Sequence, residues 1–373
     1  MKRFTATLLI ILTVLGAPLI TTGCTPQDSR IANENSNDVS VACTLGLMSA
    51  VSVSARFQSR GVGYTAFGSG VIYKLNRKSG EAFIITNHHV VSSNSKISNS
   101  ISLFLYGNEN ESEAIPAEYI GGSPTYDIAV LRAVDSAFLN DCVREASLGD
   151  SDELSVGDTA IAIGNPEGAG ISATLGIISV VCENINVGLQ NQQAAQTNRV
   201  IRVDTAVNSG NSGGGLFNLS GELIGIVNAK VVDEAVENIG YAIPVSVASG
   251  VADNILENRE KNQGREPMRA ILGVTLTENT ESVMGSDGRL SIKGQVIITE
   301  VIKGSPADGV LEKGDEITEA TLKGRRVSVT RAYVLPDLVL RAVAGDRVIL
   351  KIKREGLPKT VEIEINASSL VPL

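Results

Sequence analysis

Three short segments of this 373-residue chain carry side chains that could together cleave an acyl bond. The first contains the neighbouring residues His88 and His89, which are the only histidines in the chain. The second places Asp127 at the start of an apolar run, and the third places Ser212 in a loop with four glycines. Any imidazole chemistry must therefore come from one of two adjacent positions.

A serine hydroxyl is a weak nucleophile that needs a base within hydrogen-bond reach, and an imidazole suits this task near neutral pH. A buried carboxylate can fix the imidazole tautomer and stabilise the charge that the ring gains. Glycines beside the serine let backbone N–H groups approach a developing oxyanion. The order His89, Asp127, Ser212, with steps of 38 and 85 residues, fits the chymotrypsin arrangement of such a triad. The sequence therefore predicts nucleophilic chemistry at Ser212.

Composition argues against several other classes of function. Two histidines and four scattered cysteines without a C-x-x-C pair argue against a metal site, and the chain is too long and too poor in cysteine for a small disulfide scaffold. The net charge of −9, without a basic run interleaved with aromatic residues, argues against nucleic-acid binding. We therefore expect no metal, no other cofactor and no nucleic-acid partner.

The first residues have the pattern of a secretory signal. Lys2 and Arg3 precede an apolar run, which ends in small residues before Cys24. A cysteine directly after a glycine resembles a bacterial lipoprotein cleavage box, although Thr21 stands where that pattern usually has leucine. We expect residues 1–23 to be a lipoprotein-type signal peptide and Cys24 to be lipidated, with an uncleaved membrane anchor or plain secretion as the alternatives.

The elements that must position the three segments are mostly strands. Residues 24–42 are polar and predict a flexible tether. From about 43 to 245, short apolar or alternating runs are separated by turn residues, which predicts an all-β barrel or sandwich. Val247, Val251 and Ile255 then repeat at helical spacing, and the helix ends in a charged stretch closed by a glycine. This is the clearest domain boundary in the chain.

A second pattern of strands occupies residues 268–366, with a short helix predicted over Pro336–Val343. Cys43, Cys142 and Cys182 remain if Cys24 is acylated. One disulfide or three buried thiols are both open, because spacing alone cannot pair them.

Six strings in the chain resemble motifs of the HtrA/Deg family of serine proteases over about residues 43–366. They are TNHHVV, YDIAVL, AIGNP, GNSGGGLFN, GELIGI and YAIP. The resemblance implies a mainly β fold, with a chymotrypsin-like double β-barrel protease domain at 43–262 followed by a PDZ domain at 266–366. It also implies that His89 is the general base, with His88 a bystander.

The same resemblance gives roles to the other site residues. Asp127 would orient the imidazole, Ser212 would be the nucleophile, and the amides of Gly210 and Ser212 would form the oxyanion hole. In this fold the base of the primary specificity pocket lies six residues before the nucleophile, at Ala206. An acid there would select Arg or Lys, whereas alanine predicts cleavage after small or medium aliphatic residues.

The second domain carries the string Ile271-Leu272-Gly273-Val274, which resembles the loop whose amides hold a peptide carboxylate in PDZ domains. Peptide C-termini would then bind by strand addition beside residues 274–276, with the predicted helix closing the groove. The alternative is a domain that only packs on the protease or on neighbouring subunits.

Together these features predict an exported, membrane-tethered serine endopeptidase of the cell envelope. It would act on misfolded or regulatory envelope proteins, and the resemblance implies a homotrimer. The competing prediction is a peptide-binding chaperone or stress sensor whose protease site is latent.

Overall fold

The first part of the chain forms a closed antiparallel barrel of six strands. The computed structural model describes residues 38–59, 62–108, 110–187, 196–229, 239–262, 267–286 and 288–373. Its first elements are helix α1 (Val39–Leu47), β1 (Ala50–Ser59), β2 (Val62–Asn76), β3 (Glu81–Thr86), the short helix α2 (His88–Val91), the pair β4 (Ser92–Ser93) and β5 (Lys96–Ile97), β6 (Ser100–Leu105), β7 (Ile115–Ser123) and β8 (Ile128–Val134). The barrel order is β1-β2-β3-β8-β7-β6.

A second six-stranded barrel follows, and helix α3 comes directly after it. Its elements are β9 (Thr159–Gly164), β10 (Ser172–Val187), β11 (Gln196–Val203), β12 (Gly215–Phe217), β13 (Leu223–Val227), β14 (Gly240–Pro244) and α3 (Val245–Asn262). The barrel order is β10-β11-β14-β13-β12-β9. Short 3₁₀ helices lie at Glu111–Glu113, Ser136–Leu139, Pro166–Gly168 and Ala367–Ser369.

Strand β8 is apolar on both faces because each face packs against a different core. Ala129 and Leu131 are buried in the core of the first barrel. Ile128 and Val130 point into a larger core that continues into the second barrel and α3. The unbroken run after Asp127 therefore fixes the position of that residue between two packed cores.

Helix α1 packs tightly on the second barrel. It begins after Asp38, whose side chain accepts the N–H of Ser40 at 2.8 Å, and Ala42 is buried. A Cβ on Gly46 would lie 2.4 Å from the Ile163 Cδ1 atom, so a larger residue there would require the Ile163 side chain to shift. The predicted flexible tether over 24–42 therefore does not hold for its last four residues, which are helical because their apolar side chains find a partner.

Residues 24–37 of the tether, including Cys24, lie outside the described part of the chain, as does the predicted signal peptide (residues 1–23). Among the described residues, no helix combines the length and the apolar character that crossing a membrane requires.

The last part of the chain forms a six-stranded sheet with a small additional pair of strands. The elements are β15 (Met268–Ala270), β16 (Val274–Met284), β17 (Leu290–Val301), β18 (Glu316–Leu322), β19 (Arg325–Ser328), α4 (Val334–Val339), β20 (Arg347–Arg354), β21 (Leu357–Glu364) and β22 (Leu370–Pro372). The sheet order is β16-β17-β18-β20-β21, with β19 paired to β18, which leaves β16 at an edge. The predicted helix 336–343 is thus displaced: α4 begins two residues earlier, with Pro336 in its first turn, and ends at Val339.

The two domains share part of one core. Asn254 on α3 is fully buried and donates through Nδ2 to the carbonyl oxygens of Met268 (2.7 Å) and Leu340 (2.8 Å). Leu340 and the terminal Leu373 are buried in the same cluster as the apolar face of α3. Since buried amides must find partners, these bonds fix the register between the domains.

A buried arginine also crosses the seam, which is the interface between the two-barrel domain and the C-terminal domain. Arg199 on β11 donates to Asp337 of α4 at 2.6 Å, to Asp152 at 2.9 Å and to Ser246 at 2.6 Å. Its guanidinium lies 3.9 Å from the centre of the Tyr333 ring. Burial raises the pKa of Asp337 to about 6, and the neighbouring Arg199 opposes that shift. If either partner of a buried ion pair moves away, the other charge is left unpaired in the interior. The pair therefore favours one arrangement of the two domains.

Candidate active site

His89 and Asp127 are in direct contact at the interface of the two barrels. His89 Nδ1 lies 2.6 Å from Asp127 Oδ2, and the His89 backbone N–H donates to Asp127 Oδ1 at 2.9 Å. Asp127 is buried, whereas the His89 side chain keeps 24% of its surface exposed. An imidazole held in this way has its Nδ1 fixed on the carboxylate and its Nε2 free to exchange a proton.

His88 points elsewhere although its backbone also belongs to the site. Its ring lies edge-on to Tyr119, with centroids 6.3 Å apart. The ring also packs beside Gly122, where an added Cβ would lie 2.8 Å from His88 Cδ2. Its backbone N–H donates to the Asp127 carbonyl oxygen at 3.1 Å, and Asn87 Nδ2 donates to the same oxygen at 2.9 Å. Only one of the two adjacent imidazoles therefore meets the Asp127 carboxylate.

Asn228 completes the surroundings of the carboxylate, and sequence reasoning missed it. This buried residue donates through Nδ2 to Asp127 Oδ2 at 3.0 Å. The next residue, Ala229, donates its backbone N–H to Ser212 Oγ at 3.2 Å. A polar residue directly after the apolar strand β13 was a visible signal, but only the closing of the second barrel brings it to Asp127.

Ser212 lies on a loop that packs against the segment preceding His89. Its carbonyl oxygen accepts the N–H of Ser69 at 2.8 Å, and Thr86 Oγ1 donates to the Ser69 carbonyl oxygen at 2.7 Å. Gly213 follows with φ of +86°, and a Cβ there would lie 2.2 Å from the Ser69 carbonyl oxygen. In the described part of the chain, Ser212 Oγ makes no hydrogen bond to the His89 ring, a contact that often tightens only when substrate binds.

The backbone before Ser212 forms a turn that presents an N–H group. The turn over residues 208–211 is closed by the Asn211 N–H donating to the Asn208 carbonyl oxygen at 3.0 Å. Its third residue, Gly210, has φ of +95°, as a type II turn requires. The Ser209 carbonyl oxygen accepts the Glu167 N–H at 2.8 Å, so the Gly210 N–H of the same planar peptide points the opposite way.

Within the described residues, neither the Gly210 nor the Ser212 amide donates a hydrogen bond to the protein. Two unengaged N–H groups beside a serine hydroxyl can bind a developing oxyanion. A side chain at position 210 is excluded, since a Cβ would lie 2.3 Å from the Asn165 carbonyl oxygen.

Ala206 lies at the entrance to this loop and its side chain is exposed. Its carbonyl oxygen accepts Thr174 Oγ1 at 3.3 Å and lies 3.5 Å from Asn211 Nδ2. The side chain presents a methyl group and no charge to whatever occupies this position.

The loop Ile271–Val274 of the second domain has two amides that could hold an anion. The Ile271 N–H donates to the Ser369 carbonyl oxygen at 2.8 Å, whereas the N–H groups of Leu272 and Gly273 have no acceptor in the part of the chain that the structure describes. Gly273 has φ of +79°, and a Cβ there would lie 2.1 Å from Ser305 Cβ. Strand β16 starts at the next residue and has an unpaired edge among the described strands.

A bridge joins β16 to the segment before α4. Glu278 accepts hydrogen bonds from the Arg331 guanidinium at 3.0 to 3.2 Å and from the Ala332 N–H at 2.6 Å. These bonds lower the pKa of Glu278 despite its partial burial. The bridge therefore ties the middle of β16 to the segment before α4.

In the described part of the chain, Cys43, Cys142 and Cys182 form no disulfide. Burial raises the pKa of Cys43 and Cys182. In the described part of the chain, no group of three or more histidine, cysteine, aspartate or glutamate side chains is arranged to hold a metal ion.

Comparison with known proteins agrees with this architecture. Residues 68–226 match the trypsin-like peptidase domain, and residues 270–365 match the PDZ domain. The serine protease Do-like HtrA of Lactococcus lactis subsp. cremoris is 31% identical over 321 residues, which cover 83% of this chain and 73% of the relative. The chain belongs to the HtrA family of serine proteases.

Other HtrA relatives are similar over comparable lengths. The serine protease Do-like HtrA of Bacillus subtilis is 35% identical over 80% of this chain and 63% of its own length. The periplasmic pH-dependent serine endoprotease DegQ of Escherichia coli is 33% identical over 82% of this chain and 60% of its own length. The chain thus spans less than two thirds of these two relatives.

Among solved structures, the HtrA-type protease AlgW with a decapeptide has a TM-score of 0.51 and 25% identity, covering 89% of this chain and 98% of that one. The expected mainly β fold, with a trypsin-like domain followed by one PDZ domain, is confirmed.

Proposed function

We propose that this HtrA-family chain is an exported serine endopeptidase in which Ser212, His89 and Asp127 form the catalytic triad. The observation that carries the proposal is the 2.6 Å contact between His89 Nδ1 and Asp127 Oδ2, beside a loop that carries Ser212 and two amides without an acceptor in the described part of the chain. The supporting relatives are named as serine proteases.

In the proposed mechanism, Ser212 Oγ attacks the carbonyl carbon of the scissile peptide bond while His89 Nε2 takes the hydroxyl proton. Asp127 stabilises the imidazolium and keeps Nδ1 protonated. The imidazolium then gives its proton to the leaving amine, and the C–N bond breaks to leave an acyl-enzyme. Water, deprotonated by the same imidazole, then attacks the ester carbonyl carbon; the C–Oγ bond breaks, the imidazolium returns the proton to Ser212 Oγ, and the carboxylic acid is released.

The amides of Gly210 and Ser212 form the oxyanion hole in this proposal. The type II turn, whose Ser209 carbonyl oxygen is held by the Glu167 N–H, directs the Gly210 N–H, and the Ser212 N–H follows one residue after the turn. Because these donors are in place before the reaction, no reorganisation is needed when the tetrahedral intermediate forms. Loss of one such donor raises the barrier by about 3 kcal/mol.

Ala206 would form the base of the primary specificity pocket. Its methyl group offers no charge to pair with an Arg or Lys side chain. Cleavage after Val, Ile or Ala follows, and a peptide library with a clear preference for Arg or Lys would refute this specificity.

The PDZ domain would bind the C-termini of polypeptides. The free amides of Leu272 and Gly273 would hold the terminal carboxylate, and the edge of β16 would pair with the peptide as an added strand. Fluorescence anisotropy with C-terminal peptides tests this, with the amidated form of each peptide as the matched control. Equal affinity for both forms would contradict carboxylate binding.

We further propose that Cys24 is lipidated and tethers the enzyme to a membrane of the cell envelope, where it acts on misfolded or regulatory proteins as a homotrimer. The basic start and apolar run before Cys24 support export. Metabolic labelling with a fatty-acid analogue should tag wild type and leave Cys24→Ser untagged. Sedimentation of the soluble part at three times the monomer mass tests the trimer.

Casein degradation tests the central proposal and separates it from a chaperone with a latent site. Wild type should degrade casein, and Ser212→Ala should not while keeping the same thermal unfolding temperature. Equal disappearance of casein with both proteins would refute the endopeptidase.

A further inference from the structure

The backbone at Asp127 is held in an unfavourable conformation. Its φ is +52°, in the left-handed region that non-glycine residues rarely adopt. Such a conformation persists only where the surroundings fix it. Whatever fixes residues 123–127 therefore also fixes the carboxylate that meets His89.

Three contacts hold the residues just before Asp127. The Thr125 carbonyl oxygen accepts Asn198 Nδ2 at 2.6 Å, and the Tyr126 N–H donates to Ser123 Oγ at 3.2 Å. The third contact comes from the other domain: Arg269 Nη1 donates to the Tyr126 hydroxyl at 3.1 Å. The side chain adjacent to Asp127 therefore ends on an arginine of the PDZ domain.

Both partners of this third contact are themselves held. The Tyr126 ring packs against the shared core that contains Leu340 and Leu373. Arg269 lies on β15, where it pairs with Val371 of β22. Burial raises the pKa of Tyr126, so the hydroxyl is neutral and its oxygen can accept the guanidinium N–H.

We propose that Arg269 is a positioning residue for the triad: by holding the Tyr126 hydroxyl, it keeps the strained Asp127 in register with His89. The inference rests on the proposed serine endopeptidase activity. It makes the docked PDZ domain part of what orders the protease site, in addition to any role in binding peptides.

The geometry predicts which seam residues do this and which do not. Arg341 is the matched comparison because it is also a PDZ-domain arginine on the same seam. It donates to Ser249 Oγ and lies 3.4 Å from Asp253 Oδ2, both on α3 and outside residues 123–127. Removing Arg341 loosens the seam without touching the segment that carries Asp127.

The test measures covalent labelling of Ser212 by a fluorophosphonate, which needs an ordered triad and no contact with the PDZ groove. The full chain is used. Labelling rates are measured over a range of probe concentrations, which gives the maximal rate and the half-saturating concentration separately. The variants are Arg269→Ala, Arg269→Lys, Tyr126→Phe, the double variant that combines Arg269→Ala with Tyr126→Phe, and Arg341→Ala. Thermal unfolding is recorded for each.

We expect Arg269→Ala and Tyr126→Phe each to lower the maximal labelling rate roughly three- to tenfold. Each variant loses the same charge-assisted hydrogen bond, which affects the triad only through the position of Asp127. The half-saturating concentration should stay within twofold. The double variant should be no slower than the slower single one, since both remove the same bond. Arg269→Lys should recover most of the rate, and Arg341→Ala should stay within twofold of wild type.

Equal slowing by Arg341→Ala and Arg269→Ala would overturn the inference, because it would show general loosening of the seam. An unchanged rate in Tyr126→Phe would overturn it too, and this variant decides the matter if Arg269→Ala does not fold. Failure of wild type to label at Ser212 would instead refute the proposed activity, and the inference with it.

Discussion

Replacing Asn228 tests how the Asp127 carboxylate is held. The carboxylate accepts three hydrogen bonds from the protein, from the His89 N–H (2.9 Å), His89 Nδ1 (2.6 Å) and Asn228 Nδ2 (3.0 Å). Asn228→Ala removes one of them at a site where Asp127 is 6% exposed, so water replaces it poorly.

A hydrogen bond to a charged group contributes about 1.5–3 kcal/mol. At about 1.4 kcal/mol for each factor of ten, that range corresponds to a loss of roughly 10- to 150-fold in kcat/KM. We expect a value near tenfold, because the two bonds from His89 remain in Asn228→Ala.

The assay is hydrolysis of a fluorogenic peptide with Val or Ala before the scissile bond. Asn228→Ser supplies a hydroxyl donor and should fall between wild type and Asn228→Ala. Asn228→Asp places a second carboxylate beside Asp127 and should lose more than the alanine variant, since like charges repel. A kcat/KM for Asn228→Ala within twofold of wild type would refute the reasoning.

Further predictions concern backbone and charge. Gly213→Ala should lower peptidase activity at least tenfold, because alanine at φ of +86° would meet a backbone carbonyl oxygen at 2.2 Å; normal peptide hydrolysis would contradict this. Gly273→Ala, which crowds Ser305, should abolish anisotropy changes with C-terminal peptides and leave Ser212 labelling intact. Burial raises the pKa of Asp337 to about 6, so its contribution to stability is full below about pH 4 and is lost as pH rises through 6. The free energy of unfolding, measured with urea, should therefore fall less between pH 4 and 7 in Asp337→Asn than in wild type, by on the order of 2–3 kcal/mol. The same pH dependence in both proteins would contradict this.

Sequence reasoning indicated the parts of the candidate site whose chemistry is local. Adjacent His88 and His89 limited the imidazole to two positions, and Asp127 and Ser212 stood out by their place beside apolar runs. The same patterns predicted strands, because burial on one or both faces leaves a periodic trace in the residues themselves.

Contacts made across the fold left no such trace. Asn228 reaches Asp127 only after the second barrel closes, and Arg269 reaches Tyr126 only after the PDZ domain docks. Helix α4 is shifted from its predicted position for the same reason, since packing of Val334 and Leu335 in the PDZ core starts it earlier than Pro336. Tertiary packing therefore decided the boundaries and the supporting contacts.

The most direct test of the triad is fluorophosphonate labelling of wild type, His88→Ala, His89→Ala and Ser212→Ala, followed by mass spectrometry of the modified peptide. The structure places only the His89 ring on the Asp127 carboxylate. We predict labelling at Ser212 in wild type and His88→Ala, and its loss in His89→Ala and Ser212→Ala. Labelling that survives in His89→Ala and is lost in His88→Ala would contradict the account.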